Sequence, residues 1–208
     1  MLRMLATAAV VSVFRLPARR LFAAVGRSSR LATMAKLLYS ATASLDGYIA
    51  GPGGDMSWLT EHLTGENATA ERLLANVGAI LAGNRTFGGD DPNRGTDSEG
   101  AFGGQYHGPV FVLTHRPPAE PAEDVTFVGD LRSAVAQAKD AAGDRYVNVL
   151  GADVARQCLR AGLLDEVLIF FAPVLLGDGV RMFDDPGGAQ VRLAPVPGET
   201  AHWYSVVR

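Results

Sequence analysis

A single cysteine, Cys158, is the only thiol in this sequence of 208 residues. An internal disulfide is therefore excluded, and such sparse use of cysteine is typical of a protein from a reducing compartment. Cys158 falls in a segment with a helical pattern, where a small buried apolar role is favoured over a reactive thiol. We therefore expect a cytoplasmic protein.

Several patterns that define other classes of enzyme are also missing. The sequence has no Walker loop, no Ser-His-Asp grouping, and no His-x-Glu followed by the Cys-x-x-Cys of zinc deaminases. The histidines are scattered and predict no metal site; they are His62, His107, His115 and His202. Zinc-dependent deamination, P-loop phosphoryl transfer and triad hydrolysis are therefore not expected.

Acidic residues are absent from the first 33 positions, which contain six arginines. The rest of the chain carries 13 basic and 22 acidic side chains, a net charge of −9. An acidic domain repels the phosphates of nucleic acid, so we expect no nucleic-acid partner.

The first 33 residues are interpreted separately from the rest. The apolar run at 4–14 is shorter than the roughly 18 residues that a bilayer span requires. Because Met34 directly precedes the first predicted strand, the favoured interpretation of residues 1–33 is an artefact of start-site choice. A transit peptide and a membrane-associating tail are the alternatives. We expect residues 34–208 to form one domain without stable membrane association.

Apolar periodicity predicts strands and helices that alternate along most of this domain and an all-strand segment at its C-terminal end. The predicted strands are 37–43, 79–82, 110–113, 146–150, 166–176, 190–194 and 201–207, and the predicted helices are 68–77, 131–142 and about 153–162. Asp130 is the predicted N-cap of the middle helix. This order predicts an α/β fold in which helices flank a mostly parallel central sheet that ends in antiparallel edge strands.

Two long glycine-rich segments interrupt this order, at 44–57 and 88–108. The first is predicted to be a mobile loop. The second contains Phe102, Tyr106 and His107, which favour a folded lid that contacts ligand or a partner subunit over a solvated spacer.

The most informative segment is the strand-like run at 147–150, which meets a turn at Gly151 and Ala152 and then a helix start. This arrangement aims free backbone N–H groups at an anion such as a dinucleotide pyrophosphate. The alternative is a turn whose small residues serve packing alone.

Five motifs occur in the order found in one known family. They are SLDGYIA at 44–50, LAGNRTF at 81–87, VLTHR at 112–116, VNVLGADVARQ at 147–157 and AGLLDEV at 161–167. Together they resemble the dihydrofolate reductase-like superfamily, and most closely the C-terminal reductase domain of the bifunctional riboflavin-biosynthesis deaminase-reductase. The resemblance extends from about residue 36 to residue 208.

The resemblance implies that NADPH is the cofactor and that several separate chain segments bind it. The implied cofactor contacts are Thr42, Ala43, Ile49, Gly83, Asn84, Arg85, Thr86, Thr114, His115, Arg116, Gly151, Ala152, Asp153, Val154, Ala155 and Gln157. Asn84 replaces a basic residue of the family pattern and Ala152 replaces a glycine. The first replacement leaves NADH open as an alternative, although Arg116 or Arg85 can compensate, since a 2′-phosphate favours a guanidinium. The alternative interpretation of each arginine is a solvated surface residue that does not contact the cofactor.

By the same resemblance, the loop at 43–58 closes over the nicotinamide ring, with glycines supplying its freedom. Asp46 is then the candidate catalytic carboxylate that orients substrate, although Asp-Gly is also a turn signal. Trp58 and Tyr106 are the candidate substrate contacts, and for Trp58 core or lid packing is the alternative.

These observations predict an NADPH-dependent reductase of a small heterocycle, with the ribosylaminouracil phosphate of riboflavin synthesis as the implied substrate. Dihydrofolate is the alternative substrate, although neither Glu66 nor Glu71 lies in a recognisable pterin-binding motif. A dinucleotide-binding module without turnover and a membrane-tethered interaction protein are alternatives from other classes. Relatives are often dimers, so we expect that the strand-rich C-terminus can serve as a homodimer interface.

Overall fold

Short apolar runs with many β-branched residues form the strands of a central sheet. The computed structural model describes residues 34–62, 67–120, 124–199 and 201–208, and the predicted tail at 1–33 lies outside the described residues, as does Glu66. The strands are β1 (Leu37–Ser44), β2 (Tyr48–Ala50), β3 (Val77–Gly83), β4 (Val110–Leu113), β5 (Val125–Val128), β6 (Tyr146–Leu150), β7 (Glu166–Ala172), β8 (Val180–Arg181), β9 (Arg192–Pro195) and β10 (His202–Val207).

In the described residues, the main sheet has eight strands in the order β5-β4-β3-β6-β1-β7-β10-β9. Every neighbouring pair from β5 to β7 is parallel. Strand β10 pairs antiparallel with β7, and β9 pairs antiparallel with β10. The predicted α/β fold with antiparallel C-terminal strands is confirmed. Strands β2 and β8 form a separate antiparallel pair.

The helices are α1 (Ala68–Ala75), α2 (Asn84–Phe87), α3 (Leu131–Ala142) and α4 (Ala152–Arg160). Asn67 caps α1 by accepting a hydrogen bond from the backbone N–H of Ala70. Asp130 caps α3, as predicted, by accepting one from the backbone N–H of Ser133 at 2.8 Å. Helix α4 begins at Gly151 without a side-chain cap.

Alternate side chains of the strands build a core on each face of the sheet. On one face Tyr39 and Val149 pack with Ala134 of α3 and Cys158 of α4. Cys158 is buried, and burial raises the pKa of its thiol to about 12, in keeping with the predicted apolar role. On the other face the core contains Leu73 of α1 and residues of the 88–108 segment.

The 88–108 segment is folded against the sheet. The ring of Phe102 is completely buried in the second core. The carboxylate of Asp91 accepts hydrogen bonds from the backbone N–H groups of Asn93 and Gly100, both at 2.8 Å, and so closes the turn between them. The expectation of a folded segment instead of a solvated spacer is therefore met, whereas contact with ligand stays a prediction.

Several predicted boundaries were wrong. The first helix ends at Ala75 instead of 77, because Val77 pairs with Tyr146 in the parallel ladder. The strand predicted to reach 176 ends at Ala172, where the backbone N–H of Val174 bonds the carbonyl of Ala172 and turns the chain. The glycine-rich loop at 44–57 contains β2 and 3-10 turns at Pro52–Gly54 and Ser57–His62. Strands β5 and β8 were not predicted, because both are short, and β5 is only partly buried while β8 is exposed.

Candidate active site

A cavity of about 690 Å³ opens at the carboxyl ends of β3, β4, β5 and β6. In parallel sheets this edge gathers strand ends, loops and helix N-termini, and ligands commonly bind there. The cavity is lined by Gly83, Asn84, Arg85, Thr86, Leu113, Thr114, His115, Arg116, Gly129, Asp130, Leu131, Asp153, Val154 and Gln157.

Ten of the sixteen predicted cofactor residues line this cavity, so the structure brings together three segments that lie far apart in the sequence. Gly151 and Ala152 start the helix that contributes Asp153 and Val154. The side chain of Ala155 instead points into the core. Thr42 and Ala43 end β1, and Ile49 lies in β2; these three are buried and lie outside the cavity.

Gly151 is the position where the absence of a side chain matters most. Its φ is 96°, and a Cβ placed there would lie 2.2 Å from Oγ1 of Thr86. A Cβ at Gly83 would lie 3.0 Å from the Val154 side chain. The turn therefore passes directly against α2, and the uncapped first turn of α4 leaves backbone N–H groups able to bind an anion at the cavity.

The helix start also carries a negative charge, on Asp153. Its carboxylate forms an ion pair with Arg156 and accepts a hydrogen bond from the side-chain amide of Gln157 at 2.9 Å. These contacts offset the negative charge of Asp153 and turn its carboxylate toward the following turn of the helix. The carboxylate therefore repels an anion at the helix N-terminus less strongly.

Arg85 and Arg116 supply the positive charge of the cavity. Both side chains are exposed, and within the described ranges neither guanidinium has a carboxylate within 4.0 Å. The backbone N–H of Arg116 donates to Oγ1 of Thr114 at 3.0 Å, which fixes the turn after β4. Two unpaired guanidinium groups beside an open helix N-terminus form a site suited to a ligand with several phosphates.

Sequence reasoning missed the part of the cavity formed by Leu113, Gly129, Asp130 and Leu131. These residues depend on β5, which places its carboxyl end beside that of β4 through the pairing of Val128 with Leu113. The apolar run at 125–128 directly before the predicted N-cap was the signal that could have revealed them.

Asp46 holds the β1–β2 turn to the chain beyond β7. Its Oδ1 accepts hydrogen bonds from the Ser44 hydroxyl at 2.6 Å and from the backbone N–H of Leu176 at 3.1 Å, and its Oδ2 accepts one from Gly177 N–H at 2.7 Å. Both oxygens serve the turn, so a substrate-orienting role for Asp46 would compete with these bonds. The Ser44 hydroxyl and the two backbone N–H groups lower the pKa of Asp46 to about 2.

We expect Asp46→Asn to reduce stability at neutral pH and to flatten the loss of stability in acid. The folded pKa lies below the unfolded value of 3.8, so the ionised carboxylate stabilises the fold above about pH 4. This contribution is lost as the pH falls toward 2. Thermal midpoints measured from pH 7 to pH 2 check this, with Asp144→Asn at an exposed position as the control. Parallel pH curves for Asp46→Asn and the wild type would contradict it.

The predicted substrate contacts Trp58 and Tyr106 lie apart from each other. Trp58 is half-buried in the 3-10 turn after β2, and its ring lies 6.2 Å from that of His62, measured between centroids. Its indole N–H is buried without a hydrogen-bond partner among the described residues. Trp58 does not line the cavity, and its role as a substrate contact stays a prediction.

Tyr106 lies at the opposite edge of the sheet from the cavity. Its hydroxyl donates to the carbonyl of Pro109 at 3.1 Å, immediately before β4 begins, and its side chain faces Arg145, immediately before β6 begins. Both positions are at the amino ends of the strands. The structure therefore does not bring Tyr106 to the cavity, and its role as a substrate contact stays a prediction.

The described residues contain neither a candidate metal site nor a candidate membrane span. Across those ranges, groups of three or more His, Cys, Asp or Glu side chains that could hold a metal ion are absent. The helices in the same ranges are all too short or too polar to cross a membrane.

Comparison with known proteins identifies relatives of this fold. The model of the RibD C-terminal domain matches residues 35–200. YwjB of Bacillus subtilis, an uncharacterized protein, is 28% identical over 151 residues, which cover 72% of this chain and 82% of YwjB. The riboflavin biosynthesis protein RibD of Mycobacterium tuberculosis is 27% identical over 157 residues, which cover 71% of this chain and 45% of RibD. The chain thus spans about half the length of RibD.

Solved structures agree with this comparison. A protein from Shewanella sp. PV-4 that has been assigned to riboflavin biosynthesis superposes with a TM-score of 0.64 at 26% identity, covering 83% of this chain and 99% of its own. Dihydrofolate reductase from Enterococcus faecalis, solved with NADP(H), superposes with a TM-score of 0.50 at 15% identity, covering 85% of this chain and 97% of its own. The second likeness concerns the fold alone, which is dihydrofolate reductase-like.

Proposed function

The chain belongs to the RibD C-terminal domain family, and from this we propose that it is an oxidoreductase that reduces a ribosylaminouracil-type heterocycle with a nicotinamide dinucleotide. The observation that supports the proposal is the cavity at the carboxyl edge, where an uncapped helix N-terminus faces two unpaired arginines. Its residues fit a dinucleotide on their own chemistry, since the turn at Gly151 has no room for a Cβ and neither arginine has an ion-pair partner among the residues that the structure describes.

The order of the strands supports one orientation of the cofactor. Along the carboxyl edge, β4 with Arg116 is followed by β3 with Gly83, β6 with Gly151 and β1 with Ala43. Neighbouring strands lie about 4.8 Å apart, so these four strand ends extend over about 14 Å. In this arrangement Arg116 would hold the adenosine phosphate and the turn at Gly151 would hold the pyrophosphate, with Ala43 and the β1–β2 turn at the nicotinamide end.

The protein's own part in the reaction is binding, orientation and exclusion of water. The bound dinucleotide supplies the hydride. The N–H groups at the start of α4 would hold the pyrophosphate, and the Asp46 hydrogen bonds fix the turn that would lie beside the ring. Thr42, Ala43 and Ile49 are buried at that end, so a ring bound beside them would lie against a side of the site that is closed to solvent.

We propose NADPH as the preferred form of the cofactor. Arg116 and Arg85 provide the guanidinium groups that a 2′-phosphate favours, and they make good the absence of a basic side chain at Asn84.

Arg116→Ala is expected to weaken NADPH binding by about 1 to 2 kcal/mol and to leave NADH binding nearly unchanged, because only NADPH carries the 2′-phosphate. Calorimetric titration of both cofactors measures this difference. Arg192→Ala, which removes an exposed arginine from β9 at the far end of the sheet, is the matched control. Equal losses of NADPH and NADH affinity in Arg116→Ala would contradict a 2′-phosphate contact.

A reductase assay tests the proposed function as a whole. The purified chain is incubated with NADPH and either the ribosylaminouracil phosphate or dihydrofolate, and the loss of cofactor absorbance is followed. We expect consumption with the ribosylaminouracil phosphate. Consumption of NADPH with dihydrofolate but not with the ribosylaminouracil phosphate would identify dihydrofolate as the substrate. Tight cofactor binding without consumption of NADPH in either reaction would instead identify a dinucleotide-binding module without turnover.

A further inference from the structure

The ends of β4 and β5 lie side by side at the cavity. Leu113 pairs with Val128, and the backbone N–H of Thr114 donates to the carbonyl of Val128 at 2.9 Å. A Cβ placed at Gly129 would lie only 3.5 Å from Nδ1 of His115. The segment at 129–130 therefore continues directly alongside the segment at 115–116, and both line the cavity.

Asp130 brings a fixed negative charge to this point. Its Oδ1 accepts the hydrogen bond from Ser133 N–H at 2.8 Å, which holds the side chain in one orientation as the cap of α3. That bond is also the main reason that the pKa of Asp130 is lowered. Within the described ranges, no Lys, Arg or His nitrogen lies within 4.0 Å of its carboxylate, so the charge is not neutralised by an ion pair.

We infer that Asp130 is a specificity-determining residue that limits the preference for NADPH, because its carboxylate repels the 2′-phosphate and accepts a hydrogen bond from a free 2′-hydroxyl. This inference rests on the proposed function. Arg116 and Asp130 then act in opposite directions on the same phosphate, and the balance between them sets the ratio of NADPH to NADH affinity.

Asp130→Asn tests the inference without disturbing the helix, because asparagine caps a helix as well as aspartate does. We expect NADPH to bind roughly two- to fivefold more tightly in the variant, and NADH to bind equally or slightly more weakly, since one exposed charge acts through solvent. Dissociation constants for NADPH and NADH are measured by calorimetric titration at low and high salt. The gain for NADPH should shrink as salt screens the charge.

Asp140→Asn is the matched control, since it removes the same charge from an exposed position farther along α3 and outside the cavity. Unchanged NADPH affinity in Asp130→Asn, an equal gain for NADH, or an equal gain in Asp140→Asn would each overturn the role of Asp130. These results leave the proposed function standing, because the wild type still binds the cofactor. A wild type that binds neither dinucleotide would overturn both.

Discussion

Gly151→Val is expected to abolish dinucleotide binding, with a loss of affinity of more than about a hundredfold. Two features of the structure combine here. The φ of 96° suits glycine, and the new Cβ would lie 2.2 Å from Oγ1 of Thr86, at the point where the backbone must approach the pyrophosphate. Calorimetric titration with NADPH measures the loss, and circular dichroism establishes that the variant is folded.

Two companion variants separate the phosphate contact from packing. Gly162→Ala imposes a positive φ of 66° on alanine at the far end of α4, where a Cβ would meet nothing within 4 Å. It should cost about 1 kcal/mol of stability and leave NADPH affinity unchanged.

The pair Gly151→Ala with Thr86→Ala removes the closest clashing atom. If the double variant is as stable as Thr86→Ala alone but binds NADPH more weakly, the absence of a side chain at Gly151 serves the phosphate contact. If the double variant matches Thr86→Ala in both stability and NADPH affinity, Gly151 is a packing residue.

The fold was predictable where local pattern and tertiary context agree. The strand at 146–150 is apolar and bounded by turns, and the helix at 131–142 carries its own cap at Asp130. By contrast, Val125–Val128 is a short edge strand whose pairing with β4 depends on a partner 15 residues earlier in the chain. Its four residues carry too little periodicity to be recognised alone.

The same distinction between local pattern and tertiary context explains which site residues could be predicted. Residues that directly follow a predicted strand, such as Gly83, Thr114 and Gly151, lie together because parallel strands share one carboxyl edge. Tyr106 lies in a segment without regular structure, and no local rule fixes its direction. Its aromatic ring indicated that the segment folds but not which edge of the sheet it covers.

A buried carboxylate at the amino edge of the sheet has a different role from the residues at the cavity. Glu166 begins β7 and is only 2% exposed. Its Oε1 accepts a hydrogen bond from Lys36 at 2.7 Å, and its Oε2 accepts one from the Tyr146 hydroxyl at 3.0 Å and one from the Trp203 indole at 2.7 Å. These bonds join β6, β7, β10 and the residue before β1 at the edge opposite the cavity.

Glu166→Ala is therefore expected to destabilise the fold by about 3 kcal/mol or more and to leave NADPH affinity unchanged in the folded fraction. The substitution opens a space and leaves the buried Trp203 N–H and the partly buried Tyr146 hydroxyl without their acceptor, whereas the half-exposed Lys36 can regain water. Urea unfolding followed by tryptophan fluorescence measures the loss. Glu71→Ala, at an exposed position in the first turn of α1, should change stability by no more than about 1 kcal/mol. Similar losses for the two variants would mean that the three donors find other acceptors, and that the carboxylate does not hold these strands together.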